Sequence, residues 1–228
     1  MDLARFQTIT KNYRKLRIAV VGDFCLDRYL EIDSARKEVS IETGLPVYNI
    51  THVRSQPGGA GTILSNLVAL GIGEIHPIGF AGEDGEGFEL IRSLRTFKGV
   101  ETKAFFSTPL RRTFTYTKPL LISPDKVPVE LNRFDIKNWT PTPAAVQKKI
   151  VDALVKLAPK VDAIILMDQV DVPETGVITS RVLSAIRSIV KKHPQLLILA
   201  DSRRGLKGYP PVCLKMNRAE LAALTGTT

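Results

Sequence analysis

The sequence predicts an α/β protein that has a mainly parallel sheet, helices on both faces and a small second sheet. Short β-branched runs, such as residues 17–22 and 163–167, alternate along the chain with stretches of helical periodicity. Two extended segments, residues 29–56 and 109–136, interrupt this alternation and indicate exposed strands. We therefore expect one domain over residues 1–228, in which the two segments form a lid over one end of the main sheet.

The elements follow one another as strand–helix units, and short connections between such units favour parallel strands. Short apolar runs predict buried strands at residues 17–22, 75–80, 163–167, 196–200 and 212–216. Apolar residues at helical spacing predict helices at residues 62–71, 88–97, 144–157, 179–192 and 218–224. Further extended strands are predicted at residues 104–108 and 113–122.

The charge balance favours an anionic partner. The chain has 32 Lys and Arg against 23 Asp and Glu, a net charge of +9, which suits a nucleotide, a phosphorylated sugar or nucleic acid. The basic residues are spread out, and there is no helix-turn-helix, zinc-finger or basic–aromatic pattern, so we expect no nucleic-acid partner. Because no apolar run is long enough to span a bilayer and no signal-peptide pattern is present, we expect a cytoplasmic protein without membrane contact.

Cysteine and histidine usage gives no sign of a disulfide or a zinc site. Cys25 and Cys213 lie far apart in apolar surroundings, which predicts buried, reduced thiols. The three histidines do not have the spacing of metal ligands.

Polar residues follow several of the predicted parallel strands. Asp23 and Asp27 follow the first strand, Asp168 follows another, and Asn217 follows the last. Ligands of open α/β sheets bind at the carboxyl ends of the strands. One such Asp is more often a cap or a turn residue, but several at one edge favour a binding site.

Two glycines, Gly58 and Gly59, precede a predicted helix. They either let backbone N–H groups approach a ligand or form a tight turn that requires positive φ, and the spacing leaves both readings open. The segment lacks the third glycine of a dinucleotide-binding motif and the Lys-Ser/Thr of a phosphate-binding P-loop.

Asn217 and Glu220 lie three residues apart at a helix start. This spacing fits a capping box, in which each side chain binds the other residue's backbone N–H. It also fits an amide and a carboxylate presented to a Mg²⁺–water shell and nucleotide phosphates. Taken alone, the pattern favours capping.

Six motifs together resemble the ribokinase / phosphofructokinase-B (PfkB) superfamily of carbohydrate kinases, and within it the heptose 7-phosphate kinases. The similarity covers about residues 17–226, and the motifs occur in the family's order. The matching segments are residues 21–29, 56–71, 79–87 (G-x-x-G-x-D-x-x-G), 131–135, 201–203 and 217–220 (N-x-x-E).

The resemblance implies a ribokinase-like fold and ATP-dependent transfer of the γ-phosphoryl group to a sugar hydroxyl. Under it, Asp27 accepts a sugar hydroxyl, with Asp23 nearby, and the backbone of Gly58 and Gly59 lines the sugar pocket. Thr62 stands where the family usually has a sugar-binding Asn. The lid closes over the sugar and excludes water.

The resemblance also implies how ATP and Mg²⁺ bind. Asn217 and Glu220 orient the phosphates, with Glu220 toward Mg²⁺ and its waters, and Arg203 adds positive charge. The implied small-molecule partners are a sugar or sugar phosphate and a nucleotide, and a homodimer through the lid is expected.

One departure concerns the chemistry itself. The 228 residues hold no G-A-G-D loop, whose Asp is the family's general base, so no catalytic residue is assigned and the base is expected beyond residue 228. We expect this sequence to be part of a longer kinase and inactive alone. The alternative is a non-catalytic sugar-binding or regulatory protein derived from the kinase fold.

Overall fold

The computed structural model describes residues 2–226. Its helices and strands alternate along most of the chain, as the sequence predicts. The α-helices are α1 Leu3–Lys11, α2 Ala60–Ala69, α3 Gly85–Thr96, α4 Ala144–Leu157, α5 Ser180–Lys192 and α6 Arg218–Thr225. The strands are β1 Arg17–Gly22, β2 Phe24–Val39, β3 Pro46–Gly59, β4 Glu74–Gly82, β5 Phe105–Thr108, β6 Phe114–Ile122, β7 Val129–Glu130, β8 Phe134–Ile136, β9 Ala163–Asp168, β10 Leu197–Ser202 and β11 Cys213–Leu214.

The main sheet has six strands in the order β11-β10-β9-β1-β4-β5, and every neighbouring pair is parallel. The chain starts at β1, adds β4 and β5 on one side, and then returns to add β9, β10 and β11 on the other. The order therefore reverses between β1 and β9. At such a switch point the loops after the two strands part in opposite directions and leave a crevice for a ligand.

Helices cover both faces of this sheet, which is why its strands are apolar runs. On one face Leu64 of α2 and Leu90 of α3 are buried in one core cluster. On the other face Ile150 of α4 and Ile186 of α5 are buried in a second cluster. Burying each such side chain contributes about 1.5–3 kcal/mol of hydrophobic stabilisation. None of the helices described between residues 2 and 226 combines the length and the apolar character needed to cross a membrane.

A second sheet of five strands forms the lid. Its order is β3-β2-β6-β7, with β8 also paired to β6; β2 and β3 are antiparallel, whereas β2 and β6 are parallel. Because only Asp23 separates the end of β1 from the start of β2, the lid leaves the body at the carboxyl edge of the main sheet. The two central lid strands begin within the body, β2 at Phe24 and β6 at Phe114. The lid ends with β8 at Ile136.

The two cysteines differ in exposure. Cys25 is buried in the core, as predicted, but Cys213 is exposed, so the prediction of a buried thiol was wrong there. Cys213 belongs to β11, which within residues 2–226 pairs only with β10 and lies at the sheet edge. An apolar run in the sequence does not distinguish an edge strand from a central one.

Candidate functional site

Asp23 lies at the switch point, directly after β1, and is 2% exposed. Its Oδ2 accepts hydrogen bonds from the backbone N–H groups of Gln169 (2.8 Å) and Val170 (3.3 Å), and its Oδ1 accepts one from Val177 (2.7 Å). Burial and the negative charge of Asp168 raise the pKa of Asp23 to about 6, against the opposing effect of these three bonds. Since both carboxylate oxygens bind the loop after β9, the geometry favours a positioning role for Asp23 over direct sugar contact.

Asp168 is the last residue of β9 and is fully buried near the switch point between β1 and β9. Its Oδ2 accepts hydrogen bonds from the hydroxyls of Ser202 (2.9 Å) and Tyr209 (3.0 Å) and from the guanidinium of Arg204 (2.7 Å). Burial raises the pKa of Asp168, and Arg204 only partly opposes this. Its Oδ1 is buried without a hydrogen-bond partner among residues 2–226. Asp168 therefore ties the segment after β10 to the switch point.

Asp27 lies on β2, four residues after Asp23, and its carboxylate rests against the backbone of Gly58. A Cβ atom at Gly58 would lie 2.5 Å from Oδ2 of Asp27 and 2.8 Å from Sγ of Cys25, so a larger residue there would displace one of these side chains. Oδ1 of Asp27 forms an ion pair with Nζ of Lys118 on β6 at 3.5 Å. Burial would lower the pKa of Lys118, but Asp27 raises it above the usual value. Lys118 therefore stays protonated and places a positive charge beside the carboxylate of Asp27.

Gly59 precedes α2 and has a φ of 59°, and a Cβ there would lie 2.4 Å from the carbonyl oxygen of Asp23. That oxygen accepts a hydrogen bond from the N–H of Ala60 at 3.0 Å, so the glycine brings the start of α2 up to the end of β1. The turn that requires positive φ is confirmed at Gly59, whereas approach of backbone N–H groups to a ligand stays a prediction. Thr62 is exposed in the first turn of α2.

One face of the lid continues the site from Asp27. Alternation along β2 puts Tyr29 on the same face, and the register of β6 adds Tyr116 and Lys118 opposite these two residues. The guanidinium of Arg54 lies 4.0 Å from the centre of the Tyr29 ring, and Lys118 lies 4.9 Å from it. This face thus presents a carboxylate, two aromatic rings and two cations.

Arg203 follows β10 and contacts the same region through Asp171. The carboxylate of Asp171 lies 3.6 Å from Arg203 and 2.9 Å from Lys137, which follows the last lid strand. The hydrogen bond from Lys137 lowers the pKa of Asp171 below its usual value. Arg203 is exposed, and its predicted role toward the nucleotide phosphates stays a prediction.

Asn217 and Glu220 form a complete capping box at the start of α6. Oδ1 of Asn217 accepts from the N–H of Glu220 (2.9 Å), and Oε2 of Glu220 accepts from the N–H of Asn217 (2.7 Å). The capping role is therefore confirmed. Since β11 is the third strand from β1, Asn217 and Glu220 lie roughly 14 Å along the carboxyl edge from the end of β1, where the residues predicted to bind the sugar begin.

The residues around Glu220 fit Mg²⁺ only in one of its usual binding modes. Within residues 2–226 no group of three or more His, Cys, Asp or Glu could hold a metal ion. Mg²⁺ often binds one or two carboxylates and takes its remaining ligands from substrate phosphates and water. A single carboxylate from Glu220 is compatible with that mode, and its role toward Mg²⁺ stays a prediction.

The structure brings together Asp23, Asp27, Gly58 and Gly59, all four predicted from sequence. It adds residues that sequence reasoning missed. Alternation through Tyr116 and Lys118 indicates a shared face, but their pairing with β2 spans about 90 residues and leaves no local signal. Asp168 was noted at a strand end, but its partners Ser202, Arg204 and Tyr209 were not predictable for the same reason.

Among characterised proteins the chain is similar to the bifunctional protein HldE of several bacteria. It is 28% identical over 216 residues to that of Gluconobacter oxydans, covering 94% of this chain and 43% of the relative. It is 30% identical over 227 residues to that of Pelobacter propionicus, covering 99% of this chain and 44% of the relative. The chain thus spans less than half the length of these relatives. A scan against protein-family models gives no match.

Solved structures decide the fold. Escherichia coli phosphofructokinase-2, in complex with substrates and products, superposes with a TM-score of 0.63 at 14% identity, covering 93% of this chain and 64% of that one. The chain has the ribokinase-like fold. Arabidopsis thaliana ribokinase, complexed with ribose and ATP, gives a TM-score of 0.56 at 18% identity, covering 92% and 63%. The ribokinase-like fold that the sequence resemblance implies is thus confirmed.

Proposed function

We propose that this chain is the sugar-binding and lid region of an ATP-dependent sugar kinase. One observation carries the proposal: the carboxylate of Asp27, the backbone of Gly58 and the ammonium of Lys118 meet on the lid, whose strand β2 leaves the ribokinase-like main sheet at its switch point. Carboxylates and backbone groups bind sugar hydroxyls by hydrogen bonds whose directions fix the orientation of the ring. Similarity to HldE and to sugar kinase structures supports the same assignment.

Phosphoryl transfer from ATP forms a bond between a sugar oxygen and the γ-phosphorus, breaks the bond to ADP, and releases the hydroxyl proton to a base. The residues of this chain orient the acceptor, since transfer of this kind depends mainly on positioning and on neutralising charge. Asp27 accepts a hydrogen bond from one hydroxyl, and the lid excludes water as a competing acceptor. Arg203, Asn217 and Glu220 are proposed to face the nucleotide phosphates and Mg²⁺. Mg²⁺, when bound, would neutralise charge on the transferred group.

A phosphorylated acceptor is the finer proposal. Arg54 and Lys118 lie on the same lid face as Asp27, and Lys137 lies at its border. Cations along this face, of which Lys118 is paired with Asp27, suit a ligand that offers hydroxyls at one end and a phosphate at the other. The resemblance to heptose 7-phosphate kinases supports the same substrate class.

Binding of sugars tests the proposal without requiring turnover. Ribose, fructose 6-phosphate and D-glycero-D-manno-heptose 7-phosphate are titrated while the fluorescence of Trp139, the single tryptophan, is recorded. Asp27→Asn is expected to weaken binding of the preferred sugar at least about tenfold, because a hydrogen bond to a charged group is lost. Lys118→Met is expected to weaken the binding of sugar phosphates more than the binding of ribose. Arg36→Gln, which alters an exposed lid ion pair away from the site, is the control.

Failure of every sugar to bind the wild type, or equal binding by Asp27→Asn, would overturn the assignment. The alternative is a non-catalytic sugar-binding or regulatory protein, favoured by the lack of a G-A-G-D loop in the 228 residues. Sugar binding alone is common to both readings. ADP release by the longer protein of which this sequence is expected to be part separates them.

A homodimer through the lid and a cytoplasmic location also stay proposals. Large apolar side chains of the lid are exposed, which supports a partner on that sheet. They include Val39, Ile41, Tyr48, Ile50, Val53, Val127 and Val129. Sedimentation velocity over a range of protein concentrations measures whether two copies associate.

A further inference from the structure

Arg28 connects the lid to the body of the protein. It follows Asp27 on β2, and strand alternation turns its side chain to the opposite face of the lid. There its guanidinium reaches two carboxylates in the first turns of α3, Glu86 at 3.4 Å and Glu89. Asp27, which is proposed to bind the sugar, and Arg28, which binds the body, are thus consecutive residues whose side chains lie on opposite faces of the lid.

This ion-pair cluster is partly buried. The side chains of Arg28, Glu86 and Glu89 are 26%, 20% and 22% exposed. Burial would raise the pKa of Glu89, but the hydrogen bond from Arg28 and its positive charge help to lower it below its usual value. Charge-assisted hydrogen bonds shielded from water are stronger than the exposed pairs of a protein surface.

The start of α3 also binds β6, the other central strand of the lid. Asp84 caps α3 through the N–H of Gly87 (2.8 Å), and it accepts hydrogen bonds from the N–H (3.0 Å) and the hydroxyl (2.6 Å) of Thr113. Thr113 directly precedes β6, which is the neighbour of β2 in the lid. Both central strands of the lid are therefore attached to one helix start, β2 by ion pairs and β6 by hydrogen bonds.

We propose that Arg28 is a positioning residue, which with Glu86 and Glu89 clamps β2 to α3 and so sets the angle at which the lid presents Asp27 to the sugar. The sugar site itself rests on the proposed function, whereas the clamp is a property of the chain without ligand. If the lid binds sugar only in the clamped position, the apparent affinity for sugar falls by the same factor as the fraction of molecules that hold the lid in that position.

Hydrogen–deuterium exchange of the ligand-free chain tests the clamp directly. Arg28→Met is expected to speed exchange of lid amides in residues 46–59 and 114–122 about tenfold, because opening of the lid no longer breaks charge-assisted bonds. Exchange in β9 and β10 should not change. Arg28→Lys, which keeps one ion pair, should restore part of the protection. Arg36→Gln, which removes the exposed Arg36–Asp33 pair within the lid, should behave like the wild type.

A second measurement uses D-glycero-D-manno-heptose 7-phosphate as the probe. If the wild type binds it, Arg28→Met should weaken binding by about the factor by which lid exchange increases. The triple variant Arg28→Met/Glu86→Gln/Glu89→Gln should match Arg28→Met in both readouts, since the coupled partners are already lost.

The outcomes separate the clamp from the proposed function. Unchanged lid exchange in Arg28→Met, or a rise equal to that of Arg36→Gln, would overturn the clamp even if sugars bind. Absence of sugar binding by the wild type would overturn the proposed function and leave the exchange result decisive for the clamp. If Arg28→Met does not fold, Glu89→Gln on the helix is used, and its unchanged lid exchange would overturn the clamp.

Discussion

At the scale of single residues, Asp23 and Asp27 show how four positions along the chain change the role of a carboxylate. Asp23 is buried and saturated by three backbone N–H groups, so it holds the loop after β9. Asp27 is partly exposed and paired only at one oxygen, by Lys118, so it can accept a hydrogen bond from a ligand. The sequence shows both as aspartates after a strand, and their burial and hydrogen-bond partners in the fold separate them.

The glycines beside these aspartates give the first prediction. Gly59→Ala is expected to destabilise the fold by about 2–6 kcal/mol, because positive φ costs about 1–3 kcal/mol and overpacking costs about as much. The overpacking arises because the new Cβ would meet the carbonyl oxygen of Asp23 at 2.4 Å. The measurement is the free energy of unfolding in urea.

Gly71→Ala is the matched control. Gly71 also has positive φ, at 80°, but a Cβ there would meet no atom within 4 Å. Gly71→Ala should lower the free energy of unfolding by about 1–3 kcal/mol, from backbone strain alone. Equal losses for the two variants would contradict the close approach of Gly59 to β1.

At the scale of elements, the segment Gly79 to Gly87 serves as a joint between helix and lid. The hydroxyl of Thr113 accepts a hydrogen bond from the N–H of Gly82 (2.8 Å) and donates to Asp84. A Cβ at Gly87 would lie 2.1 Å from the carbonyl oxygen of Gly82. The spacing of glycines and Asp in this motif therefore follows from one compact turn that caps α3 and anchors β6.

The pH dependence of this joint is the second prediction. Burial would raise the pKa of Asp84, but the hydrogen bonds from Thr113 and Gly87 lower it below its ordinary value of 3.8. Because the folded-state pKa is the lower one, the ionised carboxylate stabilises the fold above about pH 4, and this stabilisation is lost as the pH falls.

Asp84→Asn should therefore be less stable than the wild type by about 2 kcal/mol at pH 7, from loss of charge-assisted bonds and of the favourable charge at the helix start. The difference in unfolding free energy should narrow as the pH is lowered below 3.8. Urea unfolding at pH 7, 5 and 3.5 measures it. A constant difference would contradict the role of the ionised side chain.

At the scale of the whole molecule, the sugar and nucleotide ends of the proposed site lie on different strands of one sheet edge. The sugar residues gather at β1 and the lid, whereas Asn217 and Glu220 follow β11, three strands away. The chain matches 92–93% of its own length to solved kinases but only 63–64% of theirs.

Turnover is the third prediction. The 228 residues hold no G-A-G-D loop and no assigned general base, so we expect them alone to bind sugar without releasing ADP from ATP. A coupled assay of ADP release, with and without D-glycero-D-manno-heptose 7-phosphate, measures it. Sugar-dependent ADP release well above that of Asp27→Asn would contradict the expectation and reveal a base elsewhere in the chain.

The sequence by itself determined the local features of this protein. Periodicity located the parallel strands and helices, the two interrupting segments indicated the lid, and the order of motifs indicated a ribokinase-like kinase. Only the tertiary structure decided which groups meet. The pairing of Lys118 with Asp27, the clamp from Arg28 to α3, and the exposure of Cys213 all depend on contacts between distant segments. Periodicity reports which face of an element is buried, but it carries no information on which other element covers that face.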